Sequence, residues 1–130
     1  MVFKSFTGAL VCFFSGILVD VDHCVDYVRD RGINFNLKQF FQYSYGLEYD
    51  RLYILLHGYE YFVPLAFTMV VSDYNLLVVA AVIGYTQHLL FDQLTNPVKP
   101  LAYLLTYRLK NRFSKQSILS DECLRSLIAD

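Results

Sequence analysis

The chain has 130 residues, of which 55% are hydrophobic and 18% charged, and its formal net charge is -1. This length predicts a single domain, and so apolar a composition favours a membrane protein over a water-soluble one. The chain has no polybasic tail and no nucleic-acid-binding motif, so we expect no nucleic-acid partner. Its three cysteines are an odd number without a C-x-x-C pair, which predicts free thiols and argues against a cysteine zinc site.

The first apolar segment covers residues 5–19 and follows Lys4. A cleaved signal peptide would share this pattern, but no small-x-small cleavage site precedes Asp20. We therefore predict a first membrane span over residues 5–19. The polar stretch that follows, residues 24–51, is rich in aromatic residues, which suits either a position at the lipid headgroups or packing over the helix ends.

Two further spans are predicted over residues 52–71 and 74–94. Each has about 20 residues, the length that a helix needs to cross roughly 30 Å of hydrocarbon. Only Ser72 and Asp73 separate them, which predicts a helical hairpin. Pro64 lies inside the second span and is expected to kink it.

Beyond the third span, residues 100–112 predict a short helix, either re-entrant or a fourth membrane segment. Residues 120–128 have apolar positions at helical spacing, which predicts an amphipathic helix. The fold class expected for residues 1–130 is therefore an all-α, multi-pass membrane helical bundle forming a single membrane-embedded domain.

Basic residues are distributed unevenly over this topology. Three spans place residues 20–51 and the C-terminal region on one side of the membrane, and that side carries all but one of the 11 lysines and arginines. By the positive-inside rule this side is cytoplasmic, so the chain is predicted to lie in the cell membrane.

Histidines and carboxylates are concentrated near the cytoplasmic ends of the predicted spans. The set consists of Asp20, Asp22, His23, His57, Glu60, His88 and Asp92. Residues three or four apart share a helix face, so every histidine has an acidic neighbour on its own face. Asp22 would point elsewhere on a continuous helix, unless the first helix has already ended there.

A bound cation would compensate the cost of carboxylates in apolar segments, about 2.5 to 3.5 kcal/mol each on insertion scales. Imidazole nitrogens and carboxylate oxygens suit zinc above all, and also manganese or iron. The predicted metal ligands are Asp20, His23, His57, His88 and Asp92. The alternatives are a structural network of hydrogen bonds between histidines and carboxylates, and an ion or proton pathway, which the clustering at one end disfavours.

Three ordered motifs resemble those of the membrane-bound metal-dependent hydrolases, the YdjM-like family. They are Asp20-Val21-Asp22-His23, the segment from Leu56 to Glu60, and His88-Leu89-Leu90-Phe91-Asp92. The resemblance covers about residues 16 to 113. At long range the family resembles the all-helical zinc phospholipase C and nuclease group, which implies phosphoester hydrolysis by clustered metals.

The predicted function is a metal-dependent hydrolase that cleaves a phosphoester of a lipid or lipid-linked substrate at the cytoplasmic face. Its expected partners are membrane lipids. Glu60 and Asp22 are the catalytic candidates, with Glu60 as general base or further ligand. Arg51 is a candidate phosphate contact, although an interfacial arginine facing lipid headgroups is the favoured explanation. A non-catalytic membrane protein with a structural metal site is the alternative.

Overall fold

The computed structural model describes residues 5–129, and the regular elements within this range are helical. The α-helices are α1 Phe6–Val19, α2 Val21–Arg31, α3 Leu37–Tyr45, α4 Phe62–Val71, α5 Leu76–Thr95, α6 Leu105–Lys110, α7 Lys115–Ile118 and α8 Asp121–Ala129. Two 3-10 helices cover Tyr59–Tyr61 and Pro100–Tyr103. The predicted all-α class is confirmed. The chain divides into two compact units, the first formed by residues 5–19 and Gly58–Asn96 and the second by Asp20–His57 and residues 97–129.

In the first unit, α1 packs along α5. The two backbones approach most closely at Gly84, where a Cβ atom would lie 2.1 Å from the carbonyl oxygen of Cys12. Small residues at such a crossing let two helices meet backbone to backbone, as in membrane helix pairs. Cys12 and Ala80 form the buried core of this contact.

Two helical stretches are long and apolar enough to cross a membrane by length and composition, the run Phe6–Arg31 and α5. Only 22% and 17% of their most apolar windows are buried in the structure. Large apolar side chains are therefore exposed, among them Phe13, Phe14, Leu90, Phe91 and Leu94. The first and third predicted spans are confirmed as apolar helices.

The predicted second span is wrong in its first third. Residues 52–58 are not helical, because the backbone N–H groups of Tyr53, Ile54 and Leu56 donate to carboxylates of α2 instead of to carbonyls one turn back. The apolar helix runs only over Tyr59–Val71, about 21 Å when its first three residues form a 3-10 turn. Two candidate spans therefore stand where three were predicted.

The position of Pro64 also differs from the prediction. Since α4 begins at Phe62, Pro64 lies in the first turn of the helix, where a missing N–H removes no intrahelical hydrogen bond and no kink is needed. At the other end of α4 the chain turns through Asp73 and Tyr74, both with positive φ, and enters α5. The predicted helical hairpin thus forms with a shorter first arm.

The second unit has its own core around Tyr27 of α2. Its buried members are Tyr27, Tyr43, Tyr49, Leu52, Ile54, Ala102 and Ile118. The segment 51–57 crosses this core in an irregular conformation, and the N–H of Leu52 donates to the carbonyl of Phe113 at 3.0 Å. The predicted short helix after residue 100 forms as a 3-10 turn followed by α6, and the predicted amphipathic C-terminal helix forms as α8.

Candidate metal centre

Two of the predicted site residues, Asp22 and His23, lie in the first turn of α2, and Asp20 lies directly before it, after the end of α1 at Val19. The irregular segment 51–57 supplies His57. The side chain of Asp22 is 9% exposed. The sequence predicted that Asp22 would point away from the other site residues unless the first helix ended before it, and α1 does end before it.

Two carboxylates of α2, four residues apart, hold the segment that carries His57. Asp26 accepts the N–H groups of Tyr53 at 2.8 Å and Ile54 at 3.1 Å. Asp22 accepts the N–H of Leu56 at 2.8 Å through its Oδ2 atom. Because buried carboxylates that accept backbone donors are well compensated, this pairing fixes the backbone that enters His57.

Arg108 of α6 donates hydrogen bonds to backbone carbonyl groups of the same segment. Its side chain is fully buried, and its guanidinium donates to the carbonyls of Ile54 and, at 3.0 Å, of His57. Arg108 is not among the site residues predicted from the sequence. The available signal was a single basic side chain inside the apolar stretch from Leu101 to Leu109, a position that is costly for a charge without internal partners.

The imidazole of His57 lies between two carboxylates. Its Nδ1 atom is 3.2 Å from Oδ2 of Asp22, and its Nε2 atom is 3.6 Å from Oδ1 of Asp20. The same oxygen of Asp20 lies 3.9 Å from Nε2 of His23. The two imidazole rings meet edge to face with centroids 5.1 Å apart. Asp20 remains half-exposed while His57 is buried, so the cluster opens on one side.

This donor set fits a divalent ion. Asp22, His23 and His57 each place one ligand atom within 4.8 Å of the others. A tetrahedral ion with bonds of about 2.0 to 2.1 Å brings its ligand atoms to roughly 3.3 Å from each other, so small side-chain movements would complete the geometry. Two carboxylates beside two neutral imidazoles also balance a charge of +2.

A buried oxygen supports the same conclusion. Oδ1 of Asp22 has no hydrogen-bond partner among residues 5–129, although Oδ2 of the same carboxylate accepts two. An uncompensated buried carboxylate oxygen costs free energy, and a cation or a bound water would remove that cost. Asp22, which was the least secure member of the predicted set, is thus placed directly at the cluster.

The other predicted ligands, His88 and Asp92, and the catalytic candidate Glu60 belong to the first unit. His88 and Asp92 pair on α5, with Nε2 and Oδ2 3.3 Å apart, as their spacing predicts. Glu60 lies in the 3-10 turn Tyr59–Tyr61. His57 precedes that turn, so the helical spacing predicted for His57 and Glu60 does not apply. Arg51 is exposed beside Arg29 and Tyr53 in an open polar cavity of the second unit.

Comparison with family models, with curated proteins and with solved structures found no match for this chain. The three cysteines are free thiols, as the sequence predicted. The features that bear on function are therefore the side chains around His57 and the exposed apolar helices.

Proposed function

We propose that this protein is a membrane-bound, metal-dependent hydrolase that cleaves a phosphoester of a lipid or lipid-linked substrate. The observation that carries the proposal is the joining of Asp22, His23 and His57 into one cluster with an unpartnered carboxylate oxygen. The ordered motifs that resemble the membrane-bound metal-dependent hydrolases support the same class of reaction.

The side chains around His57 have distinct roles in this proposal. Nε2 of His23, Nε2 of His57 and Oδ1 of Asp20 would hold zinc, manganese or iron. Asp22 orients the ring by accepting the Nδ1 proton of His57, the arrangement usual behind a metal-bound imidazole. Its Oδ1 atom, which has no hydrogen-bond partner among residues 5–129, would bind the ion or accept a proton from a bound water.

When bound, the ion would lower the pKa of a water ligand and polarise the phosphoryl oxygen. Glu60 is proposed as a further proton acceptor, and His88 and Asp92 remain predicted metal ligands. The exposed apolar surfaces of α1 and α5 support membrane insertion. The cytoplasmic position of residues 20–51 is part of this proposal and rests on the three-span topology predicted from the sequence. A lipid substrate would reach such a site by lateral diffusion.

A structural role is the second candidate, and one observation favours it. Oδ2 of Asp22 already accepts from the backbone of Leu56 and faces His57, so part of the cluster is satisfied without an ion. In that case the cluster would only hold the segment 51–57 on α2. Metal content distinguishes the two functions, because a hydrogen-bond network needs no ion.

The test is the metal content of the full chain purified in detergent, measured by elemental mass spectrometry. Wild type is compared with His57→Ala and Asp22→Asn, and with Asp121→Asn as a control at an exposed carboxylate. Near-stoichiometric zinc, manganese or iron in wild type and control, lost in His57→Ala, supports the metal centre. Folded protein that stays metal-free after reconstitution with these ions supports the structural role.

Activity is tested next with a water-soluble phosphodiester and with phosphatidic acid in mixed micelles. We expect Glu60→Gln to keep its metal and lose turnover, since it removes a proton acceptor; loss of metal in this variant would instead make Glu60 a further ligand. A metal-loaded wild type that cleaves neither substrate class would contradict the phosphoester proposal while leaving the metal centre in place.

A further inference from the structure

Helix α3 has two apolar faces, and only one of them is packed. Phe40 and Tyr43 contact Tyr27 of α2, with ring centroids 5.7 and 5.6 Å apart. The other face carries large side chains at a spacing of four residues: Leu37, Phe41 and Tyr45. This amphipathic helix therefore carries apolar side chains beyond the face that it packs on α2.

The second face is exposed in the structure. Leu37 is 62% exposed, Phe41 46% and Tyr45 82%, and the preceding loop adds Ile33 at 90%. Phe35 of the same loop belongs to the packed side, with its ring centroid 5.4 Å from that of Tyr27. We call the side chains of Ile33, Leu37, Phe41 and Tyr45 the aromatic face. Contiguous apolar surface of this kind on a small folded unit marks an interaction site.

The packed face fixes the aromatic face in this position. Tyr43 is 3% exposed, and its hydroxyl donates to Asp30 of α2 at 2.5 Å. Asn36 caps α3 by accepting the N–H groups of Lys38 and Gln39. Turning the exposed side chains inward would break these contacts, so the fold itself leaves them uncovered.

We propose that the aromatic face lies in the headgroup region of a lipid bilayer. This inference rests on the membrane location in the proposed function. Phenylalanine, tyrosine and leucine beside an exposed lysine are typical of helices that lie in the membrane interface, where Lys38 can extend its ammonium group toward anionic headgroups. A helix of this kind buries its apolar side only a few ångströms deep.

Chain connectivity and charge favour lipid over a second copy of this chain. Only residues 20–36 separate α3 from the apolar helix α1, so α3 is tethered close to any membrane that α1 enters. A two-fold contact through the aromatic face would also bring Lys38 of both copies toward each other. Anionic lipid would instead pair with that lysine.

The absence of tryptophan from the sequence makes the inference directly testable. Phe41→Trp places a single fluorophore on the aromatic face, and Tyr45→Trp provides a second reporter on the same face. Phe13→Trp, on the exposed side of α1, reports the predicted membrane span. Each full-length variant is reconstituted in vesicles of phosphatidylcholine and phosphatidylglycerol, with lipid brominated either near the headgroup or deep in the acyl chain.

We expect the tryptophan of Phe41→Trp to have blue-shifted emission and to be quenched more strongly by bromines near the headgroup than by bromines deep in the acyl chain. The tryptophan of Phe13→Trp should be quenched by the deep bromines. Quenching of Phe41→Trp by aqueous iodide but not by bromolipid would overturn the inference and leave the membrane location intact. Emission of Phe41→Trp that depends on the protein-to-lipid ratio, without bromine quenching, would overturn it in favour of self-association. Failure of bromolipid to quench Phe13→Trp would remove the membrane location itself.

Discussion

Replacing Arg108 by methionine should destabilise the second unit and weaken metal binding together. Methionine keeps much of the side-chain length but donates no hydrogen bond, so the carbonyls of Ile54 and His57 would lose a donor inside the core. The fully buried guanidinium now serves both. The substitution therefore tests whether Arg108 holds the segment that presents His57.

The expected magnitude follows from these two hydrogen bonds. A bond to a charged group contributes about 1.5 to 3 kcal/mol, so their loss should reduce the free energy of unfolding by about 3 kcal/mol or more. Arg108→Lys keeps the charge but cannot reach two carbonyls with a planar fork, and should lose about half as much. Substituting a residue that orients a metal ligand typically lowers metal affinity by about 10- to 100-fold, so Arg108→Lys should weaken cobalt binding by about that factor.

The assay is equilibrium unfolding in mixed micelles of detergent and sodium dodecyl sulfate, followed by circular dichroism. Cobalt titration by visible absorption is run in parallel on Arg108→Lys. Arg125→Met serves as the control because Arg125 is exposed on α8. If Arg108→Met lowers the free energy of unfolding by no more than Arg125→Met does, the two carbonyls have other donors and the proposed role of Arg108 is refuted.

Two further predictions concern the separate units. In the first unit, Gly84→Ala should lower the thermal unfolding temperature, since its Cβ would lie 2.1 Å from the Cys12 carbonyl oxygen. Gly16→Ala is the control and should be tolerated, because its Cβ would lie 3.4 Å from the nearest atom. Equal effects of the two substitutions would mean that α1 and α5 move apart freely. In the second unit, burial and the hydrogen bond to Asp30 raise the pKa of Tyr43 above its ordinary value of about 10. Because the pKa of Tyr43 is higher in the folded than in the unfolded state, the free energy of unfolding should be constant below about pH 10 and fall as the pH rises further. Tyr43→Phe should make this fall less steep in unfolding experiments between about pH 9 and 11. An unchanged slope would show that Tyr43 ionises equally in both states.

Local sequence determined the apolar helices and the separate pairs of ligands. α1 and α5 follow from long, predominantly apolar stretches, which favour a helix without reference to the rest of the chain. The His88 and Asp92 pair follows from a spacing of four on one helix. The aromatic stretch could be recognised as well, but not divided into a packed and an exposed face, because that division depends on where Tyr27 lies.

Tertiary structure alone decided the conformation of residues 52–58 and the surroundings of His57. These residues have the apolar composition of a membrane helix, yet their backbone donors pair with Asp22 and Asp26, which lie about 30 positions earlier in the chain. Arg108 satisfies the carbonyls of the same segment from about 50 positions later. Hydropathy and residue spacing describe neighbours along the chain. They therefore cannot predict hydrogen bonds that form only after distant segments have come together.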